Sequence, residues 1–283
     1  MGASYQRLGL IAGGGELPVH VAAAAQSEGR LGCVIALDGF ADPTRFAEAT
    51  PCGIARIGAM FKALHEARCD AVCFAGIVAR PDFSKLKPDM KGVSLLPKVL
   101  SAAARGDDAL LRAVIAIFER EGLAVIGADE IADELKARPG LLGAIGPDDT
   151  ARADALKALH VAAVIGAEDI GQGAVVARGL VLAVEAQEGT DAMLARVAGL
   201  PEALRGTHGA RSGVLAKRPK PVQERRIDLP VIGVPTVEAA AKAGLAGIVV
   251  PAGGALILGH DSVARAADAA GVFVWIVEEP VSG

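Results

Sequence analysis

Aromatic residues are scarce: seven Phe, one Trp and one Tyr make up 3% of the 283 residues. Without aromatic platforms, and with a formal charge of -4, the chain lacks what a nucleic-acid binder stacks and grips with, so no nucleic-acid partner is expected. Cysteine is also sparse. Cys33, Cys52, Cys69 and Cys73 sit in or beside apolar runs with no Cys-x-x-Cys pair and no nearby histidine cluster, which excludes a structural zinc site and fits core thiols in a reducing compartment. The five histidines are scattered, none at triad or metal-ligand spacing. A basic segment followed by a long apolar run is missing from the first residues, so the chain is expected in the cytoplasm. The uncharged stretch between Lys242 and His260 is broken by Pro251 and several glycines, so no membrane span is expected.

What is present suits a packed core, since 52% of the residues are hydrophobic and the length accommodates two domains. Short β-branched runs alternate with Ala-rich helical patterns: strands at 8–12, 32–37, 71–75 and 123–126, with helices near 18–28, 58–67, 94–104 and 107–121. Such alternation predicts a parallel α/β sheet of Rossmann-like form, with ligand sites at the carboxyl ends of its strands. The Gly/Pro-rich stretch 133–147 interrupts this rhythm and reads as a linker between a domain at 1–132 and a second α/β domain with a mixed sheet at 148–283. In the second half a helix near 149–160 precedes a hairpin of 174–177 and 180–184, a helix near 191–198, a basic loop and a closing β-α-β-β-α-β pattern.

The basic loop is the strongest chemical signal. Lys217, Arg218, Lys220, Arg225 and Arg226 place five cations in ten positions of an acidic chain, which points to an anionic ligand. Asp228 follows, just before Leu229-Pro-Val-Ile232, where a carboxylate could hold a divalent cation or orient a water against a phosphate. A solvated, proline-stiffened loop is the alternative. Gly13, Gly14 and Gly15, with Leu17 and Pro18 opening the helix after the first strand, resemble a phosphate loop, but Pro18 stands where a dinucleotide fingerprint needs its third glycine. Arg80 follows a strand on the same sheet edge and could reach a phosphate. Asp107 and Asp108 read as a helix start. Glu185, Glu188, Thr190 and Asp191 gather three carboxylates and a hydroxyl at a strand end, a composition hard cations favour, although Thr190 could simply cap a helix with Asp191 in its first turn. The segment Leu95-Leu-Pro-Lys-Val-Leu100 is amphipathic, suited either to a core-facing helix or to peripheral membrane contact.

Together Ile11-Ala-Gly-Gly-Gly-Glu-Leu-Pro18, Gly76-Ile-Val-Ala-Arg-Pro81, Glu185-Ala-Gln-Glu-Gly-Thr-Asp191 and the run from Lys217 to Gly233 resemble the LpxI family, over nearly the whole chain. The resemblance implies a Mg²⁺-dependent hydrolase of lipid A biosynthesis that cuts UDP-2,3-diacylglucosamine into UMP and 2,3-diacylglucosamine 1-phosphate. It implies two domains with the substrate between them, cytoplasmic placement with transient contact at the inner membrane, and leaves room for a homodimer. On this reading Asp228 is catalytic; Gly13, Gly14, Gly15, Leu17, Pro18, Arg80, Thr190, Asp191, Lys217, Arg225 and Arg226 bind substrate; and Asp228, Asp191 and Glu188 hold the metal. Glu224 departs from the family pattern, which carries Asp there. Two alternatives remain, a nucleotide-dependent oxidoreductase and a non-catalytic nucleotide-binding module.

Overall fold

Apolar β-branched runs buried on both faces pair as parallel strands, and the computed structural model, which describes residues 5–221 and 224–278, shows one five-stranded parallel sheet, one six-stranded mixed sheet and one two-stranded parallel pair. Its chain divides into two units, Met1–Asp133 with Glu224–Ile227, and Glu134–Gln223 with Asp228–Gly283.

In the first unit β1 (Leu8–Ala12), β2 (Leu31–Leu37), β3 (Thr50–Cys52), β4 (Ala71–Ala75) and β5 (Ala124–Val125) form a parallel sheet of order β3-β2-β1-β4-β5. Order reverses between β1 and β4, the switch point at which doubly wound sheets open a crevice. Helices α1 (Leu17–Ser27), α2 (Ile57–Glu66), α3 (Met90–Ala103), α4 (Asp107–Arg120) and α5 (Ala128–Ile131) accompany it. Phe61, Phe74 and Phe118 meet edge to face in the core, with both centroid separations 5.0 Å. Ile227, from the returning segment, packs against the same cluster.

The second unit holds β6 (Gly140–Leu142), α6 (Asp149–Ala167), β7 (Gly173–Ala177), β8 (Leu180–Val184), α7 (Gly189–Ala198), β9 (Val214–Lys217), β10 (Val231–Ile232), α8 (Val234–Lys242), β11 (Gly247–Pro251), β12 (Leu256–Ile257), α9 (His260–Ala270) and β13 (Phe273–Val277). Its mixed sheet runs β6-β13-β11-β9-β7-β8, with β9, β11 and β13 parallel and the others antiparallel to their neighbours. Two sequence expectations change here. The stretch 133–147 is not a plain linker, because Gly140–Leu142 joins the sheet as an edge strand on β13. The basic loop begins later than expected, because Val214–Lys217 is a fully buried inner strand.

Candidate functional site

The glycine loop is built by the two strands at the switch point. Gly13 N–H donates to Ala75 O at 2.8 Å, Gly14 N–H to Ile77 O at 2.9 Å, and Ile77 N–H back to Gly14 O at 2.9 Å. A methyl group on Gly13 would lie 2.8 Å from Ile77 O, and one on Gly76, at φ 99°, would lie 2.6 Å from Gly14 O. These glycines therefore let two chain segments touch, and the amides of Gly13 and Gly14 serve that contact rather than a phosphate. Pro18 sits in the first turn of α1, as its missing N–H allows. Glu16 beside it is gripped through both carboxylate oxygens by Arg45, at 2.6 and 2.7 Å, and that guanidinium holds the Glu16 carboxyl below its usual range. No sequence motif links Arg45 to Glu16, 29 positions apart. Arg80 pairs with Asp107 at 3.0 Å and donates to Ala103 O at 2.8 Å, so it is tied to α3 and α4. Asp107 and Asp108 do occupy the first turn of α4, after Gly106.

The loop cations divide between the units. Arg226 gives Nε and Nη2 to Glu224, both at 2.9 Å, and Nη1 to Glu119 at 2.8 Å. Two carboxylates thus neutralise it, and their hydrogen bonds raise its already high pKa further. These contacts clamp the segment Glu224–Ile227 onto the first unit, and a diphosphate would have to compete with both carboxylates for this guanidinium. Arg225 in that segment is exposed. In the second unit Lys220 pairs with Asp169 at 2.6 Å.

Lys217 stands apart because it is buried, 7% exposed, at the carboxyl end of β9. Its Nζ donates to Val231 O at 3.3 Å, which links the end of β9 to the start of β10, three residues after Asp228. Burial depresses its pKa, and Glu185, Asp191 and Asp228 each oppose that shift, which places all three carboxylates within electrostatic range of one ammonium. Glu185 is 5% exposed; its Oε1 accepts from Thr190 Oγ1 at 3.0 Å, and its buried Oε2 has no hydrogen-bond partner. Burial raises its pKa despite the pull of Lys217.

Glycine makes this corner. Gly173 pairs with Lys217 across β7 and β9, and Glu185 N–H donates to Gly173 O at 2.8 Å, so Glu185 and Lys217 flank a position with no side chain. A methyl group on Gly173 would come within 2.5 Å of Glu185 Oε2, and one on Gly171 within 2.0 Å of Glu185 O. The Gly171-Gln-Gly173 run ahead of β7 is the sequence signal of this close approach.

The corner therefore gathers Lys217, Glu185, Thr190, Asp191 and Asp228, four of which the sequence had offered in named roles. Thr190 lies within the first turn of α7 and bonds Glu185 instead of capping, while Asp191 takes the first-turn place expected of it. Glu188 is bound to Arg196 at 2.5 Å. Among the described residues no three His, Cys, Asp or Glu side chains stand close enough together to hold a metal ion between them, so neither the set Glu188, Asp191 and Asp228 nor the corner's own carboxylates form a three-carboxylate cage. With one buried ammonium facing three carboxylates the corner is net acidic, so an anionic group would enter it only together with a cation that offsets those carboxylates.

Residues 7–135 match the family model of the LpxI N-terminal domain, and residues 138–275 that of the LpxI C-terminal domain. The chain is 55% identical over 275 residues to the UDP-2,3-diacylglucosamine pyrophosphatase LpxI of Caulobacter vibrioides, an alignment covering 96% of this chain and 98% of that relative. On both counts the chain belongs to the LpxI family.

Proposed function

We propose that this chain hydrolyses UDP-2,3-diacylglucosamine to UMP and 2,3-diacylglucosamine 1-phosphate, a step of lipid A biosynthesis, using groups of the second unit. The observation that carries the reading is the buried Lys217, whose Nζ donates to Val231 O three residues after Asp228, taken with 55% identity to a relative named for that activity. A buried ammonium supplies a fixed positive charge for a phosphate oxygen, stronger than an exposed one because little water screens it. Asp228 orients the attacking water and takes its proton as the oxygen bonds to phosphorus and the anhydride P–O bond breaks, releasing the two monophosphates.

Mg²⁺ fits this corner in a limited way. It takes one or two protein carboxylates and fills its remaining positions with water and substrate phosphate, so Asp228 and Asp191 would hold it while Glu188 stays with Arg196. When bound, the cation would neutralise charge on the diphosphate. An oxidoreductase is disfavoured, since Pro18 and the engaged amides of Gly13 and Gly14 leave no dinucleotide phosphate loop of the usual kind.

The test is product analysis with detergent-dispersed substrate, with and without chelator. Wild type should release UMP and the acylated sugar phosphate, lose activity to chelator and regain it with Mg²⁺. Asp228→Asn should lower kcat/KM by at least about 100-fold, the scale of a lost acid or base, while its melting temperature stays within a few degrees. Near wild-type turnover by this variant would remove Asp228 from the chemistry; no turnover by wild type would remove the function.

A further inference from the structure

Helix α3 has two apolar faces, and only one is used. Leu95 and Val99 pack against the core cluster of the first unit, and Ala102 and Ala103 are buried. Gly92 lies so close to the neighbouring chain that a methyl group there would be 2.1 Å from Ala55 O. On the other side Met90 is 92% exposed, Val93 57% and Leu100 41%, with Pro97 exposed between them. At 3.6 residues per turn these four fall within an arc of about 80°, a continuous stripe along a helix about 21 Å long. Large apolar side chains exposed singly need no explanation, but four in register on one face do.

The charge beside the stripe says what covers it. Ser94 and Ser101 form its shoulder, and Lys91 and Lys98, one heptad apart, come next around the helix. From 77 to 105 the chain carries Arg80, Lys85, Lys87, Lys91, Lys98 and Arg105 against only Asp82 and Asp89, a local excess of cations on a chain of net charge -4. Asp82 pairs with Lys85, and Glu121 from the end of α4 pairs with Lys91, while Lys87 and Lys98 make no ion pair among the described residues. Asp89 is spent as the cap of α3, accepting from Gly92 N–H at 2.8 Å. An apolar stripe bordered by lysines is the pattern of a helix lying in the headgroup layer of an anionic membrane, where aliphatic side chains enter the acyl boundary and ammonium groups meet phosphates. No helix among the described residues is long and apolar enough to cross a membrane, so the contact is with one surface.

We propose that the outward face of α3, carried by Met90, Val93, Pro97 and Leu100, with Lys98, unpaired among the described residues, beside it and Lys87 just before the helix, docks this protein on an anionic lipid bilayer. The sequence had offered Leu95–Leu100 as one amphipathic patch; the structure separates it, with Leu95 and Val99 turned to the core and Leu100 turned out. This inference extends the proposed function, whose acylated substrate would reside in such a bilayer, but its surface argument stands on α3 alone.

The test is co-sedimentation of the full chain with vesicles containing about one-third phosphatidylglycerol or with phosphatidylcholine alone. Wild type should partition at least about ten-fold more onto the anionic vesicles, and raised salt should weaken binding. Met90→Glu with Leu100→Glu, and separately Lys87→Glu with Lys98→Glu, should each abolish most of that difference, with melting curves confirming the fold. Both double variants should hydrolyse detergent-dispersed substrate like wild type, so failure of the docking surface and failure of the enzymatic reading are told apart. Equal binding by wild type and variants would overturn the proposal, as would absence of wild-type binding. So would light scattering that shows a wild-type dimer broken by Met90→Glu and Leu100→Glu, because the stripe would then face a second copy.

Discussion

Lys217 is kept charged in a place that disfavours charge. Burial lowers its pKa, and three carboxylates only partly restore it. The folded state therefore binds this proton less tightly than the unfolded chain, so stability rises with pH between the depressed folded pKa and the unfolded value of about 10.4. Lys217→Met should remove that rise. Its unfolding free energy should stay nearly flat from pH 7 to 10 where wild type climbs, and at pH 7 it should be equal or more stable, because an ammonium no longer has to be desolvated. Activity should move the other way, by ten-fold or more, through loss of a charge-assisted contact. Denaturant melts across that range decide the matter; a wild-type profile without slope would mean that Lys217 is not strained by burial.

Elements, rather than side chains, explain the glycines. Gly76 combines φ 99° with a backbone oxygen 2.6 Å from where its methyl would be, and Pro18 Cγ at 2.7 Å. Strain of the backbone and crowding of the helix start should together make Gly76→Ala cost about 2 to 4 kcal/mol, read as a drop in melting temperature of roughly 5 to 15 °C. A milder loss would show that the β1 and β4 loops part easily. The regular elements of both sheets were legible because Leu8–Ala12, Ala71–Ala75 and Phe273–Val277 are unbroken apolar runs between turn residues. Val214–Lys217 was not, since its pairing partners lie far along the chain and its last residue is a lysine among other cations. Thr50–Cys52 hid behind Pro51, tolerated because β3 is at the sheet edge. At the site, residue types betrayed Asp228, Asp191, Thr190 and Lys217, but the burial of Glu185 against Gly171 and Gly173 depends on strand register that no local pattern shows.

At the scale of the whole molecule, the chain leaves the first unit at 133, returns for Glu224–Ile227 and leaves again at Asp228. Four residues are held there by Arg226, Glu224, Glu119 and the apolar contact of Ile227. The hydrogen bond from Arg226 lowers the Glu224 pKa. That contribution to stability is complete above the unfolded pKa of about 4.3 and fades as pH falls through the lower folded value. Glu224→Gln should therefore cost about 1 kcal/mol near pH 7, after allowing for solvent screening of a guanidinium 37% exposed, and should converge with wild type only as pH falls through the depressed folded pKa. Parallel melting curves of the two proteins down to pH 3 would refute this clamp.

The burial of Lys217 also makes it a reporter. Amine-reactive reagents modify exposed lysines such as Lys62, Lys85 and Lys91 first, whereas an ammonium at the end of a covered inner strand is reached only when that strand opens. Once that strand opens, the burial that depresses its pKa is relieved, so it reacts as the exposed lysines do and opening sets its rate. The rate at which Lys217 takes up label thus times the opening of one end of β9, residue by residue, without a spectroscopic probe in a chain that has a single tryptophan.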